Sequence, residues 1–441
     1  MILGDYSPPP SPSPDQQRDA LRKGLGRAMQ WAMTRRLDEG PLLEACLQDL
    51  RFDTQLEDSR GDWLWRMIRA VGAADRFRVP ILHALYELSD ERSANQLCEL
   101  ARHYADGGDG AFRARLYEIV EQKPIADSPW LGEEEIVRLD GENGFLFAAR
   151  IRGGQLASRE WEWDDAMLVK DAIERFGEPQ VNDLLDGTSN EAIASFRAGW
   201  RRQEEVERRQ DAASSHREEM RAITVEEILS AAEADEPWFH LLRGWGIHAD
   251  DVDLETVLQQ IRGAREPAVI ARLLQVFSRR AVPLVDEHLI QLCRHGDSEV
   301  RRRAISALDQ VEHPLIRDFA LAELENRLRA AAVVGLFARN YRPGDERRIL
   351  ESIEIPDDEC ELHGLLMDVI EVLKANPDAD CSRLGVLAYA LTPCEICRHG
   401  AARLLLDRGA APEWLGEECR YDSGERCRKL ATRGEGSTEE G

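Results

Sequence analysis

Residues 297–337 read DSEVRRRAISALDQVEHPLIRDFALAELENRLRAAAVVGLF, and they carry one pattern twice. The first copy is Val300-Arg301-Ala304-Ala307-Leu308, and the second is Leu328-Arg329-Ala332-Gly335-Leu336. In each copy apolar or small residues recur at i, i+4, i+7 and i+8, which puts them on one face of an α-helix. The small residues let a second helix come close. Between the copies, Pro314 to Leu324 reads as another amphipathic helix. Its proline falls in the first turn, where the missing N–H breaks no bond. Such a helix pair has more apolar surface than it can cover alone. Stacking of successive pairs covers it, and a repeated period in the sequence is the mark of stacking.

The same phase continues in both directions. Upstream it appears as Val269-Ile270-Leu273-Val276-Phe277. Downstream it appears as Leu362, Leu366, Val369 and Ile370, then as Ile396, Gly400 and Leu404, and it fades at Cys427-Arg428-Ala431. First positions are separated by 28 to 34 residues. In the N-terminal half the phase returns as Phe77-Arg78-Ile81-Ala84-Leu85 and Phe112-Arg113-Leu116-Ile119-Val120, and less fully as Phe145-Leu146-Ala149.

The segment DSEVRRRAISAL resembles a HEAT repeat, in the short form of HEAT-like proteins related to the phycobilisome lyases. The resemblance covers most of residues 255–433 and extends more loosely over 76–152. It rests on Asp297 and on the arginine after the first apolar position: Arg301, Arg329, Arg78 and Arg113. It implies that these residues pair within the repeat and have no catalytic role. In the later copies His363 and Cys397 stand at the arginine position. The fold implied is all-α, an α-solenoid of stacked helix pairs, and that architecture does not select a reaction.

The chain of 441 residues carries a formal net charge of −26. Such a surface repels nucleic-acid phosphate and anionic lipid and favours a basic protein partner. No run of about 18 apolar residues suggests a membrane span. The start MILGDYSPPPSPSP lacks the basic and apolar blocks of a secretory signal. The nine cysteines form no disulfide framework, so a cytoplasmic protein with reduced thiols is expected.

Two helical halves joined by a long charged helix are expected. Residues 1–15 read as a disordered Pro/Ser-rich tail. Residues 16–188 read as an N-terminal helical domain with two or three HEAT-like repeats. Residues 189–223 form a polar linker helix, the run after Trp200 being nearly all charge. A capping box at Thr224 and Glu227 opens a C-terminal HEAT-like solenoid over 224–433, and residues 434–441 form a disordered tail. Trp63 and Trp65 suit either a partner-binding surface or the closed end of a helical stack.

The one concentration of reactive side chains is C-terminal. Cys394-Glu395-Ile396-Cys397 is a C-x-x-C, with His399 two residues on. A zinc site would draw on Cys394, Cys397, His399 and one of Cys419 or Cys427. Against it, Cys394 and Cys397 fall on a repeat helix. Cys360 and Cys394 are 34 residues apart and share one repeat phase, as small helix-start fillers would. Structural cysteines are therefore the expectation, with no cofactor. Cys394 follows Pro393 near a helix N-terminus and is the first choice for a reactive thiol. No metalloprotease, hydrolase or kinase motif is present, so no catalytic residue is assigned. Arg302 and Arg303 are the candidates for contact with acidic groups of a partner. The reading is a non-enzymatic scaffold or adaptor that binds a partner protein. The alternatives are a bilin-lyase-like chaperone, by analogy of fold, and a zinc- or redox-sensing regulator using the C-terminal cysteines.

Overall fold

The computed structural model describes residues 6–433 apart from 55, 127, 159–165, 213–219 and 235–238. The expected tail at 434–441 and the first five residues lie outside the described residues. Among the described residues all regular secondary structure is helical, and helices pack mainly on near neighbours in the chain, an arrangement compatible with an α-solenoid. None is long and apolar enough to cross a membrane.

The chain divides into two compact units. One comprises residues 8–213 together with 417–441, and the other comprises 1–7 together with 214–416. This differs from the expected segmentation at both ends. The Pro/Ser segment is held from Pro9 onward. The carbonyl of Pro9 accepts from the indole Nε1 of Trp31 (3.2 Å), and that of Pro10 accepts from Arg36 (2.8 Å). Ser13 then caps the Pro14–Lys23 helix in a reciprocal box with Gln16. A segment too apolar-poor to fold alone is ordered here because its carbonyls find fixed donors.

The C-terminal correction is larger. Residues from 417 on were expected to finish the second solenoid. Instead they pack in the first unit. Glu418 is fully buried and pairs with Arg27 at 2.8 Å. Trp63 donates its indole N–H to the carbonyl of Tyr421 (2.9 Å). At Gly26 a Cβ would lie 1.8 Å from the carbonyl oxygen of Glu418, so only glycine permits this approach.

The charged segment after Asn190 forms a helix, Glu191–Ala212. Its first half is a packed element. Ile193, Phe196 and Trp200 are buried, and Gly153 of the Glu142–Ser158 helix sits against the carbonyl of Ala192. The expected continuation through 213–219 falls outside the described residues.

In the second unit Thr224 and Glu227 form the capping box. Aspartates cap one helix after another: Asp250, Asp286, Asp297 and Asp358 each accept a backbone N–H from the first turn. Val300, Ala304, Ala307 and Leu308 are all buried, as the repeat requires. The second copy departs from a plain α-helix. Residues Ala331–Leu336 tighten into a 3₁₀ turn between the short helices Arg327–Ala330 and Phe337–Asn340. There Gly335 meets the carboxylate of Asp368, which a Cβ would approach to 3.1 Å.

Polar side chains tie the ends of the helices to the preceding pair. Asn340 donates to the carbonyls of Val311 and Leu336 (2.8 and 2.9 Å), and Asn376 to those of Ala338 and Val372 (3.2 and 2.8 Å). Arg408 donates to Leu373 (2.6 Å). These residues answer carbonyls that helix ends leave without intrahelical partners.

Candidate functional site

Two neighbouring helices of the second unit, Glu359–Ala375 and Glu395–Asp407, bring three donor side chains together. The first is capped by Asp358, whose Oδ1 accepts from the N–H groups of Cys360 and Glu361 (3.0 and 2.9 Å). Its first turns carry Cys360, which is exposed, and His363, which is half-buried. The second begins directly after Cys394, which occupies the N-cap position with extended backbone. Thr392, fully buried, accepts the N–H of Cys394 at 3.2 Å and fixes the approach to the helix. Cys397 is the third residue of that helix.

The donor atoms of His363, Cys394 and Cys397 all lie within 4.8 Å of one another. Cys397 Sγ is 3.2 Å from His363 Nε2. Both thiols are buried. The thiol of Cys397 donates toward Cys394 and holds the Cys394 pKa well below the ordinary thiol range. Desolvation opposes this, while His363 and the N–H groups of Cys397 and Ile396 support it. As the donor of that pair, and desolvated itself, Cys397 is held well above the ordinary range. Burial alone raises Cys46, and it pushes Cys293 up to about 12. A helix start, a second thiol and an imidazole thus give Cys394 an environment unlike that of the core cysteines.

Sequence reading placed Cys394 and Cys397 in the ligand set but chose the wrong companions. His399 lies two residues beyond Cys397, about 200° around the helix, and does not join the cluster. Cys419 and Cys427 are buried in the other unit. The missed residue is His363. The signal for it was present: His363 and Cys397 occupy the arginine position of consecutive repeats, and equal repeat positions stack.

The other candidates resolve differently. Trp63 is 1% exposed and is a core residue, so it offers no surface to a partner. Trp65 is half-buried, stacked on His103 with ring centroids 5.2 Å apart and edge-on to Tyr104. Arg302 and Arg303 both pair with Glu299, at 2.6 and 2.8 Å, so the basic cluster is neutralised on its own helix. Arg301 donates to the carbonyls of His295 and Gly296 (2.7 and 2.9 Å), holding the loop before its helix.

A cleft of about 410 Å³ opens beside Asp309, Gly335, Arg339, Asp368 and Lys374. Oδ1 of Asp309 is buried with no hydrogen-bond partner. Burial, with Asp309 nearby, pushes Asp368 up to about 7, and burial pushes Asp309 up to about 6.

No family model, curated protein or solved structure matches the chain.

Proposed function

We propose that the chain is a non-enzymatic HEAT-like scaffold that holds a basic protein partner on the surface of its stacked helices. One observation carries this reading: the arginines of the repeats are engaged within the protein, while the acidic excess is not. Arg78 pairs with Asp109, Arg113 with Asp140, Arg262 with Asp286 and Arg317 with Asp345, each joining residues 24 to 31 positions apart. Arg302 and Arg303 are held by Glu299. With cations turned inward onto neighbouring repeats, a net charge of −26 is expressed outward. A long helical stack offers extended surface for a partner domain or peptide, and that charge supports a basic one. Affinity of this kind is salt-dependent, because exposed charges are screened over about 8 Å at physiological ionic strength.

The test is capture on the immobilised full-length protein at low salt, elution with a rising salt gradient, and binding measurements on each purified candidate. Basic proteins eluting in the gradient and binding with a steep salt dependence are expected. Retention of nothing at low salt, or of partners whose affinity ignores salt, would overturn the proposal.

A further inference from the structure

We propose that Cys394, Cys397 and His363, with Cys360 as the fourth ligand, form a zinc site that staples two consecutive repeats. The inference does not depend on the scaffold reading. It starts from the three donor atoms gathered within 4.8 Å. In a tetrahedral site with metal–sulfur bonds of about 2.3 Å, ligand atoms stand about 3.5–3.8 Å apart. Small side-chain rotations therefore bring the three onto a common ion. Two thiolates and an imidazole select zinc over magnesium or calcium, which take oxygen donors.

The surroundings suit that ion. All the donors lie in the first turns of helices whose N-terminal ends carry partial positive charge, which favours thiolates there. Asp358 and Thr392 fix the two helix starts through backbone N–H groups, so the ligands rest on a pre-formed frame. The sequence repeats the arrangement. Cys360-x-x-His363 and Cys394-x-x-Cys397 stand 34 residues apart, one repeat, each at the start of its helix. Cys360 thus holds the place in its helix next to His363 that Cys394 holds next to Cys397. It is one helical turn from His363 and exposed, free to rotate toward the open position. The site has four ligands, closed as in structural zinc centres. On binding, the thiols that are protonated release their protons to solvent.

The test uses the reduced full-length protein, stripped by a chelator and titrated with Co²⁺, with its thiols counted before and after. The expected spectrum is that of tetrahedral cobalt with thiolate-to-metal charge transfer, saturating at one equivalent and reversed by Zn²⁺. Zinc is expected to raise the Tm of the stripped protein. Cys360→Ser, at an exposed position, is expected to keep cobalt bound but lose about a third of the charge-transfer intensity. Cys397→Ser and His363→Ala are expected to weaken binding roughly tenfold or more, with circular dichroism showing the helices retained. Octahedral cobalt alone, or no charge-transfer band while the thiols count as reduced, would overturn the site. Unchanged intensity in Cys360→Ser would overturn its place as the fourth ligand.

Discussion

Glu418 takes a buried ion pair from Arg27, 391 positions earlier in the chain, with 2.8 Å between the nearest nitrogen and oxygen. Glu418 is fully buried, so removing one partner leaves an uncompensated charge in the interior. Arg27→Ala or Glu418→Ala is expected to destabilise the unit of residues 8–213 and 417–441 by about 3–5 kcal/mol. The double replacement Arg27→Met with Glu418→Leu is expected to recover most of that loss, because it removes the desolvation cost with the attraction. Urea denaturation of the four proteins checks both statements. A double variant no better than the singles would mean that the pair does more than offset its own burial.

Gly26 gives a second measure of the same packing. A methyl group there meets the carbonyl of Glu418 at 1.8 Å, and the nearest atoms are backbone, which cannot swing away. Gly26→Ala is expected to cost about 1–3 kcal/mol or more. Gly40, in the Glu39–Leu47 helix, has nothing within 4 Å of its would-be Cβ. Gly40→Ala is expected to be neutral or to stabilise by about 0.5–1 kcal/mol. Thermal melting of both variants distinguishes a close helix contact from ordinary helix propensity.

The repeat was legible where its reasons are local. Val300, Ala304, Ala307 and Leu308 are buried because a helix must hide that face, and Asp297 accepts the N–H groups of Glu299 and Val300 as its position suggests. The pattern fails where a distant residue intervenes. Residues Ala331–Leu336 carry the same spacing but form a tighter turn, because Gly335 lies against Asp368 of a later helix. In the last repeat the buried face is Cys397, Ala401, Leu404 and Leu405, while Ile396 and Gly400 are half-buried, a slip of one residue from the expected phase. The return of residues 417–433 to the N-terminal unit was not legible, since periodicity records that a face is apolar and not which face covers it. The thiol pair was visible as a C-x-x-C, but its imidazole required the repeat register to be applied to His363 as it was to Cys360.

The paired carboxylates Asp309 and Asp368 make stability depend on pH. Burial raises both above the ordinary aspartate value, to about 6 and about 7. The folded state therefore binds protons more tightly than the unfolded chain. Their contribution is fully present below about pH 4 and is lost as pH rises toward 7. Asp368→Asn removes the charge that the cleft disfavours. It is expected to stabilise the protein at pH 8 by on the order of 1–2 kcal/mol, after allowance for screening, and to make little difference at pH 4. Denaturation of wild type and variant across that range checks the sign. Parallel pH profiles would show that Asp368 ionises normally.

Two arginines of one solenoid unit are expected to behave oppositely. Arg302 is exposed and pairs with Glu299 one turn away, where side-chain entropy and water offset most of the attraction. Arg302→Ala is expected to change stability by less than about 0.5 kcal/mol. Arg317 is largely buried, pairs with Asp345 at 2.7 Å and also donates to the carbonyl of Asn340. Asp345 is itself buried and caps the turn at Arg342, accepting its N–H at 2.7 Å. Removing Arg317 leaves that carboxylate and a helix-end carbonyl without their shared donor. Arg317→Ala is expected to cost about 3–5 kcal/mol, and Arg317→Lys to recover only part, because one ammonium cannot reproduce the two-pronged contact. Chemical denaturation of the three variants decides the matter. Equal losses for Arg302→Ala and Arg317→Ala would mean that burial of the repeat arginines does not set their contribution.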